Sequence, residues 1–334
     1  MSGPHRRWVL RARPAGAVSE ADFALVAGPI PAPGAGQLLV ENTHLSIEPA
    51  IRQWIGGRGR YLPPIGPGDT VRSVTLGRVV GGALPGFQTG DWVRVLGGWE
   101  THSVVGARDF PQRVEAAHGL PMTAHLGVLG GAGFAAYFGL RDVARAAAGE
   151  AVLVSAAAGA VGSIAAQYAR VLGCAVTGIA GGEAKCRWLR EVAGVGAIDR
   201  HGADLRGAIG AACPRGVDVF FDTTGGPVLE AALARLARGG RVVICGATAQ
   251  YDAAEGPRGP ANYLCLLEQG ARMEGFVASH YAGRFAEAVE VLGNLAASGQ
   301  VQFQETVAPG LDAAPGALRA VLDGAVAGRM LVAI

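Results

Sequence analysis

The chain of 334 residues has almost no charge imbalance: 29 Lys and Arg stand against 27 Asp and Glu, a formal net charge of +2. No basic run interleaves with aromatics, so the electrostatic footprint of a nucleic-acid binder is missing. Paired cysteines are absent too. Cys174, Cys186, Cys213, Cys245 and Cys265 lie far apart without a CxxC, an odd set that neither frames a disulfide scaffold nor spaces a structural zinc site. The seven histidines (His5, His44, His102, His118, His125, His201, His280) do not combine with them at the spacing of a catalytic zinc, so no metal is expected. Met1 to Arg13 lacks the apolar core of a secretory signal, and the expected location is the cytoplasm. Ala151 to Ala169 is free of charge, approaching the ~20 residues of a membrane span. Its apolar run gives way midway to a small-residue turn and then a helical stretch, so a buried strand-turn-helix is expected and no membrane association.

What remains is a chain that is 50% hydrophobic, enough for about two domains. The segment to about Pro121 reads as short strands punctuated by Pro and Gly: Trp8 to Arg11, Gln37 to Ile47, Val71 to Val80, Asp91 to Leu96 and His102 to Val105. This predicts an antiparallel β-rich lobe. After Met122 apolar strands alternate with helices. The strands are Ala151 to Ser155, Ala175 to Ala180, Ala197 to Asp199, Val217 to Asp222, Gly240 to Cys245 and Arg272 to Val277. The helices are near Ala160 to Leu172, Ala184 to Ala193, Pro227 to Ala237 and Asn262 to Gln269. The fold class is therefore α/β with a doubly wound parallel sheet, which places ligands at the carboxyl ends of its strands. The tail from about Gly293, with strand-like Val301 to Val307 and Met330 to Ile334, is expected to return to the first lobe.

The chemistry-bearing motif follows the first of these strands. Ala157-Ala158-Gly159-Ala160-Val161-Gly162-Ser163 is a GxGxxG variant with alanine in the first glycine position. At such a turn the backbone at Gly159 approaches a pyrophosphate, Gly162 lets the helix pack on the sheet, and the amides of the helix start face the anion. The second strand ends Thr177-Gly178-Ile179-Ala180-Gly181-Gly182 with no acid to accept from an adenosine ribose. Lys185 stands where an ammonium neutralises a 2′-phosphate. The cofactor expected is NADP(H).

These residues resemble the zinc-free medium-chain dehydrogenase/reductases typified by leukotriene B4 12-hydroxydehydrogenase, prostaglandin reductases, alkenal double-bond reductases and curcumin reductase. The likeness is carried nearly end to end by Leu45-Ser46-Ile47-Glu48-Pro49 with Arg52, Leu126-Gly127-Val128-Leu129-Gly130, Val154 to Ser163, Gly178 to Gly182 leading to Lys185-Cys186, Arg272 to Val277 and Gly328-Arg329-Met330. It implies a GroES-like catalytic lobe, 1–121 completed by 293–334, with a Rossmann NADP-binding lobe, 122–292, inserted between. It implies a homodimer and reduction of the double bond of an enone or alkenal, with hydride delivered to the β-carbon and negative charge gathering on the carbonyl oxygen.

Carried over by position, Gly159, Ala160, Val161 and Gly162 hold the pyrophosphate and Lys185 the 2′-phosphate. Thr223 meets the adenosine or a nearby ribose, Cys245, Gly246, Thr248 and Tyr251 the nicotinamide side, and Phe276, Val277 and Ala278 the carboxamide. Tyr251 is the expected enolate-side donor or substrate orienter, since a phenol donates without changing charge. Trp99, after a Gly-Gly turn, is the expected substrate-facing aromatic, and Trp54, Trp92 and Tyr61 are core or pocket wall. The sequence departs from the family where Ala50 replaces a tyrosine, which reshapes the acceptor site. Arg200 replaces the tyrosine that meets the 2′-phosphate, and either grips that phosphate or stays solvated. Thr223, Val326 and Ala135 replace further polar residues. A quinone reductase, and a cofactor-binding regulator or scaffold without turnover, are the competing readings.

Overall fold

The computed structural model describes residues 4–59, 62–253 and 255–334, so Tyr61 lies outside the described residues. They fall into two compact units, one of residues up to Ala117 with Pro121–Leu126 and Glu305–Ile334, the other of His118–Leu120 with Gly127–Gln304.

In the first unit, numbering strands along the chain, β1 (His5–Leu10) and β2 (Phe23–Gly28) form an antiparallel ribbon. The strands β3 (Gln37–Ile47), β4 (Arg72–Gly82), β5 (Trp92–Gly98), β6 (His102–Gly106), β7 (Gln112–Arg113), β14 (Glu305–Pro309) and β15 (Arg329–Ala333) build a sheet of order β14-β15-β3-β4-β5-β7, with β6 on β3. The long β3 serves three partners: β4 along one edge, and on the other β6 through its first half and β15, antiparallel, through His44–Ile47. Alternation at Leu38 and Val40 turns these side chains inward against Val79, Val93, Val95 and Val105, as period-two patterning requires. A second core gathers Leu45, Ile47, Ile51, Trp54, Trp99 and Val332. The short helix α1 (Ala50–Ile55) and the tail helix α9 (Ala314–Leu322) lie against it.

In the second unit β8 (Ala151–Val154), β9 (Ala175–Ala180), β10 (Gly196–Asp199), β11 (Val217–Asp222), β12 (Leu236–Ile244) and β13 (Arg272–Gly275) form a wholly parallel sheet of order β10-β9-β8-β11-β12-β13. The helices are α2 (Gly131–Phe138), α3 (Ala160–Val171), α4 (Glu183–Glu191), α5 (Leu205–Ala212), α6 (Gly226–Leu233), α7 (Cys265–Gln269) and α8 (Phe285–Ala297). The strand order reverses between β8 and β11, which creates a switch-point crevice at their carboxyl ends.

Several sequence boundaries shift. Gly293 sits inside α8, so the chain rejoins the first unit at Glu305. The strand expected from Gly240 starts at Leu236, because Leu236 pairs with Val217 across an irregular register and the preceding helix stops at Leu233. The β2 strand adds an element that the turn-rich N-terminal sequence concealed.

Candidate cofactor and active site

At the switch point two strand-terminal polar residues close on each other. Asp222, ending β11, is fully buried. Its Oδ1 accepts from Ser155 Oγ at 2.9 Å, Thr224 N at 2.9 Å and Gly225 N at 3.0 Å. Ser155 Oγ in turn accepts from Thr223 N at 2.8 Å. Burial raises the Asp222 pKa, opposed by the amides of Gly225 and Thr224 and by the two hydroxyls. The carboxylate therefore acts as a rivet that fixes the loops after β8 and β11, because a charge withdrawn from water persists only with such a full set of donors.

The turn after β8 is tight. Ala156 takes a left-handed φ of 43°, and its carbonyl accepts from Gly159 N at 2.8 Å. A Cβ at Gly162 would lie 2.3 Å from that carbonyl oxygen, so only glycine lets α3 start here. A Cβ at Gly159 would meet Ala156 O at 3.1 Å and, beyond the Ala156 methyl at 4.0 Å, nothing else. The backbone is thus open on the side where Gly159, Ala160 and Val161 begin the helix, and the free amides of an α-helix start favour an anion there. This cradle fits a dinucleotide pyrophosphate.

At the end of β9, Gly182 adopts φ 85° and caps α4. Its amide donates to Asp199 Oδ1 at 3.0 Å, and His201 N donates to the same oxygen at 3.0 Å. The Asp199 carboxylate therefore stitches the β9 and β10 exits together. A Cβ on Gly181 would stand 2.8 Å from Arg200 Nε and 3.1 Å from His201 Nε2. Burial lowers the Lys185 pKa, and the neighbouring Arg200 guanidinium lowers it further. Lys185 and Arg200 thus share one neighbourhood at the strand end. Glu183, the acid nearest in sequence, pairs with Arg190 at 2.5 Å.

Thr223 is half-buried, its Oγ1 donating to Ser155 O at 3.3 Å. Beyond β12, Cys245 N and Gly246 N both donate to Asp222 O, at 2.8 and 3.2 Å, and Thr248 N reaches Thr223 O at 3.1 Å. Burial pushes the Cys245 thiol up to about 12, with the Asp222 charge adding to it, so it stays protonated at neutral pH. Tyr251 follows a 3-10 turn, Thr248–Gln250, and its Oη accepts from Ala247 N at 3.2 Å. Burial raises its pKa, so the phenol keeps its proton and can still donate it. Phe276 leaves β13 with its ring against Gly139, where a Cβ would lie 3.0 Å from Cζ, and Val277 O accepts from His280 N at 3.0 Å.

The residues expected to hold the cofactor thus lie within one unit, at or just beyond the carboxyl ends of β8, β9, β10, β11, β12 and β13. Ala50 and Trp99 belong to the other unit. Ala50 opens α1, half-buried against the core. Trp99 corrects the sequence expectation: its ring is 0% exposed and packs on Phe23 at a centroid distance of 5.3 Å, so it is a core residue and not a substrate-facing one. Ala135 is buried in α2, and Val326 packs against the core of the first unit. The sequence reading missed Ser155 and Asp222, although each is a polar residue ending an apolar strand.

Among the described residues no three His, Cys, Asp or Glu come together to hold a metal ion, and no helix is long and apolar enough to cross a membrane.

Comparison with known proteins adds the lineage. Residues 6–112 match the family described as the N-terminal domain of oxidoreductase, and residues 160–294 the family described as zinc-binding dehydrogenase. The NADPH-dependent curcumin reductase of Escherichia coli (strain K12) is 34% identical over 99% of this chain and 97% of its own. Prostaglandin reductase 1 of Mus musculus is 33% identical over 98% of each chain. The crystal structure of CurA from Vibrio vulnificus in complex with NADPH superposes with a TM-score of 0.91, at 32% identity and 98% coverage of both chains. The chain belongs to the zinc-independent medium-chain dehydrogenase/reductase superfamily, in the family of the curcumin, prostaglandin and alkenal reductases.

Proposed function

We propose that the chain reduces the carbon–carbon double bond of α,β-unsaturated ketones or aldehydes with NADPH, as a cytoplasmic homodimer. The observation that carries the cofactor choice is the neighbourhood of Lys185 and Arg200 at an acid-free β9 end, a place where the 2′-phosphate of NADP(H) finds charge and NAD(H) finds no ribose acceptor. The substrate class rests on membership of a family whose named relatives include a curcumin reductase and a 2-alkenal reductase. When bound, reduced nicotinamide supplies the hydride for the β-carbon.

The chain's own residues do the remainder. Gly159–Gly162 and the start of α3 hold the pyrophosphate, Lys185 and Arg200 the 2′-phosphate, and the backbone of Phe276, Val277 and Ala278 orients the carboxamide. Tyr251 offers a proton to the carbonyl oxygen as charge gathers there, an interaction stronger in the transition state than before it. Ala50, small where related reductases carry a ring, favours bulky acceptors. For the dimer, β13 is the sheet edge, exposed along its length and flanked by exposed Tyr263, Leu264 and Leu267, an edge that a second copy would cover.

The test is NADPH oxidation with an aryl enone, a short 2-alkenal and a quinone, in the wild type and in Lys185→Ala. Aryl enones should be turned over most efficiently. Lys185→Ala should raise the KM for NADPH by about tenfold or more, the loss of one charge-assisted contact, while leaving that for NADH within about twofold. Quinone turnover without enone turnover would reassign the acceptor, and binding without any turnover would make the chain a cofactor-binding regulator.

A further inference from the structure

Resting on the NADPH reading above, we propose that Tyr281 is a positioning residue for the nicotinamide end of the cofactor: its ring clamps the loop whose backbone, from Phe276 to Ala278, orients the carboxamide. The loop begins where β13 ends, and it is short. Val277 is extended (φ −123°, ψ 122°), and its carbonyl accepts from His280 N at 3.0 Å. The helical stretch Ala278–Arg284 is interrupted at Tyr281 (φ −98°, ψ 16°) before α8 begins at Phe285. The rings at the two ends of this loop meet. Phe276 and Tyr281 lie edge to face, with centroids 6.5 Å apart and planes at 71°, so the loop is closed at its base by a side-chain contact.

Both rings are fastened to the same neighbouring stretch of chain. The Phe276 ring seats against Gly139, the first residue of a π-helical turn, Gly139–Ala144, where a Cβ would stand 3.0 Å from Phe276 Cζ and 2.5 Å from Phe221 Cε2. The Tyr281 ring stacks on Phe138, the last residue of α2, with centroids 4.5 Å apart and planes 9° from parallel. Phe138 is fully buried and makes a fixed floor. The Arg284 guanidinium stands 5.2 Å from the Phe138 ring centre and is itself held by Asp142 at 2.7 Å and Glu287 at 2.9 Å. Aromatic pairs favour particular offsets and angles, so a chain of them restricts where each ring can sit. A backbone that reads a carboxamide needs that restriction, because hydrogen bonds weaken steeply as they bend. Misplacing a reacting group by ~1 Å costs about a hundredfold in rate. Both contacts of Tyr281 are ring contacts, so Tyr281→Phe keeps them, while Tyr281→Leu keeps apolar bulk and loses both.

The test compares NADPH with 2′-phospho-ADP-ribose, the same dinucleotide without its nicotinamide, by calorimetric titration of the wild type, Tyr281→Phe and Tyr281→Leu. Damage to the cofactor unit as a whole weakens both ligands; a misplaced carboxamide loop weakens only the one that carries the carboxamide. Tyr281→Leu should bind NADPH roughly threefold to tenfold more weakly, the worth of one aromatic contact, and 2′-phospho-ADP-ribose within about twofold of the wild type. Tyr281→Phe should match the wild type with both. With the acceptor that the wild type turns over best, Tyr281→Leu should lose roughly tenfold to a hundredfold in kcat while the KM for that acceptor stays within about threefold. Equal losses for the two ligands in Tyr281→Leu, no loss with either, or a Tyr281→Phe as impaired as Tyr281→Leu overturns the proposal. A wild type that binds NADPH no more tightly than 2′-phospho-ADP-ribose removes the carboxamide assignment of Phe276, Val277 and Ala278 itself. A wild type that separates the two ligands, with Tyr281→Leu separating them equally well, removes the role of Tyr281 alone.

Discussion

Two carboxylates withdrawn from water, one in each unit, are treated differently. Asp222, at the switch point of the parallel sheet, accepts from two hydroxyls and two backbone amides and ties together the loops that would hold the dinucleotide. Glu100, in the turn between β5 and β6, accepts from Ser103 Oγ at 2.7 Å and lies 3.5 Å from His5 Nε2. Its pKa is pushed up to about 7 by burial, despite the Ser103 hydrogen bond and the nearby Arg7 charge. Asp222 is wholly buried while Glu100 keeps 14% of its side chain exposed, and the supply of donors differs more sharply still. The difference teaches where the chain uses rigidity. The cofactor crevice is closed by matched polar contacts, whereas the β5–β6 turn carries a carboxyl that is close to neutral.

The strongest way to break this comparison is Asp222→Asn. An amide keeps one acceptor oxygen and turns an NH2 toward donors, stranding at least one buried N–H or O–H. The expected cost is about 3–5 kcal/mol in urea unfolding, with loss of measurable NADPH binding. A change below about 1 kcal/mol would show that Asp222 is not the rivet inferred from its partners.

The elements and the site were legible to different depths for a physical reason. The bounds of β3, β9 and β11 follow from sequence alone, because each is a run of β-formers between turn residues; Gly159 and Gly162 belong to a short contiguous motif, and Lys185 follows shortly after the end of the next strand. Helix α2 was invisible: its residues Ala132 to Phe138 are buried on every side, so no polar face marks the period. Ser155 and Asp222 stand 67 residues apart, and Trp99 meets Phe23 from the other end of its unit. A Gly-Gly-Trp turn says nothing about which way the ring points; the partner that decides it is remote in sequence.

Glu100→Gln tests the other side of the comparison. The folded pKa of about 7 exceeds the ordinary 4.5, so between those values the folded protein holds a proton that the unfolded chain has released. Stability falls as pH rises through that window and is flat above it. Three other titratable groups, His5, Arg7 and His102, share the neighbourhood, and burial holds the His5 pKa low. A neutral glutamine removes the Glu100 contribution, so the variant should gain roughly 2–3 kcal/mol relative to the wild type at pH 8 and almost nothing at pH 5. Parallel pH–stability curves would mean that Glu100 is solvated or paired as an anion.

The smallest effects sharpen the contrast through two glycines. At Gly162 a methyl would collide with backbone, 2.3 Å from Ala156 O and 2.9 Å from Ala157 Cα, and the riveted turn cannot yield. At Gly98 the obstacles are side-chain atoms, Thr70 Cγ2 at 2.6 Å and Glu100 Oε1 at 2.9 Å, which can move aside. Gly162→Ala should therefore cost about 2–3 kcal/mol and weaken NADPH binding, while Gly98→Ala should cost about 1 kcal/mol or less and leave binding unchanged. Displacing the Glu100 carboxyl toward water should also bring its pKa down toward the ordinary range, flattening the pH 5–8 stability slope that Glu100→Gln removes entirely. Equal costs at the two glycines, measured by urea unfolding at pH 7, would mean that the β5–β6 turn is as unyielding as the cofactor turn and that donor supply alone separates the two carboxylates.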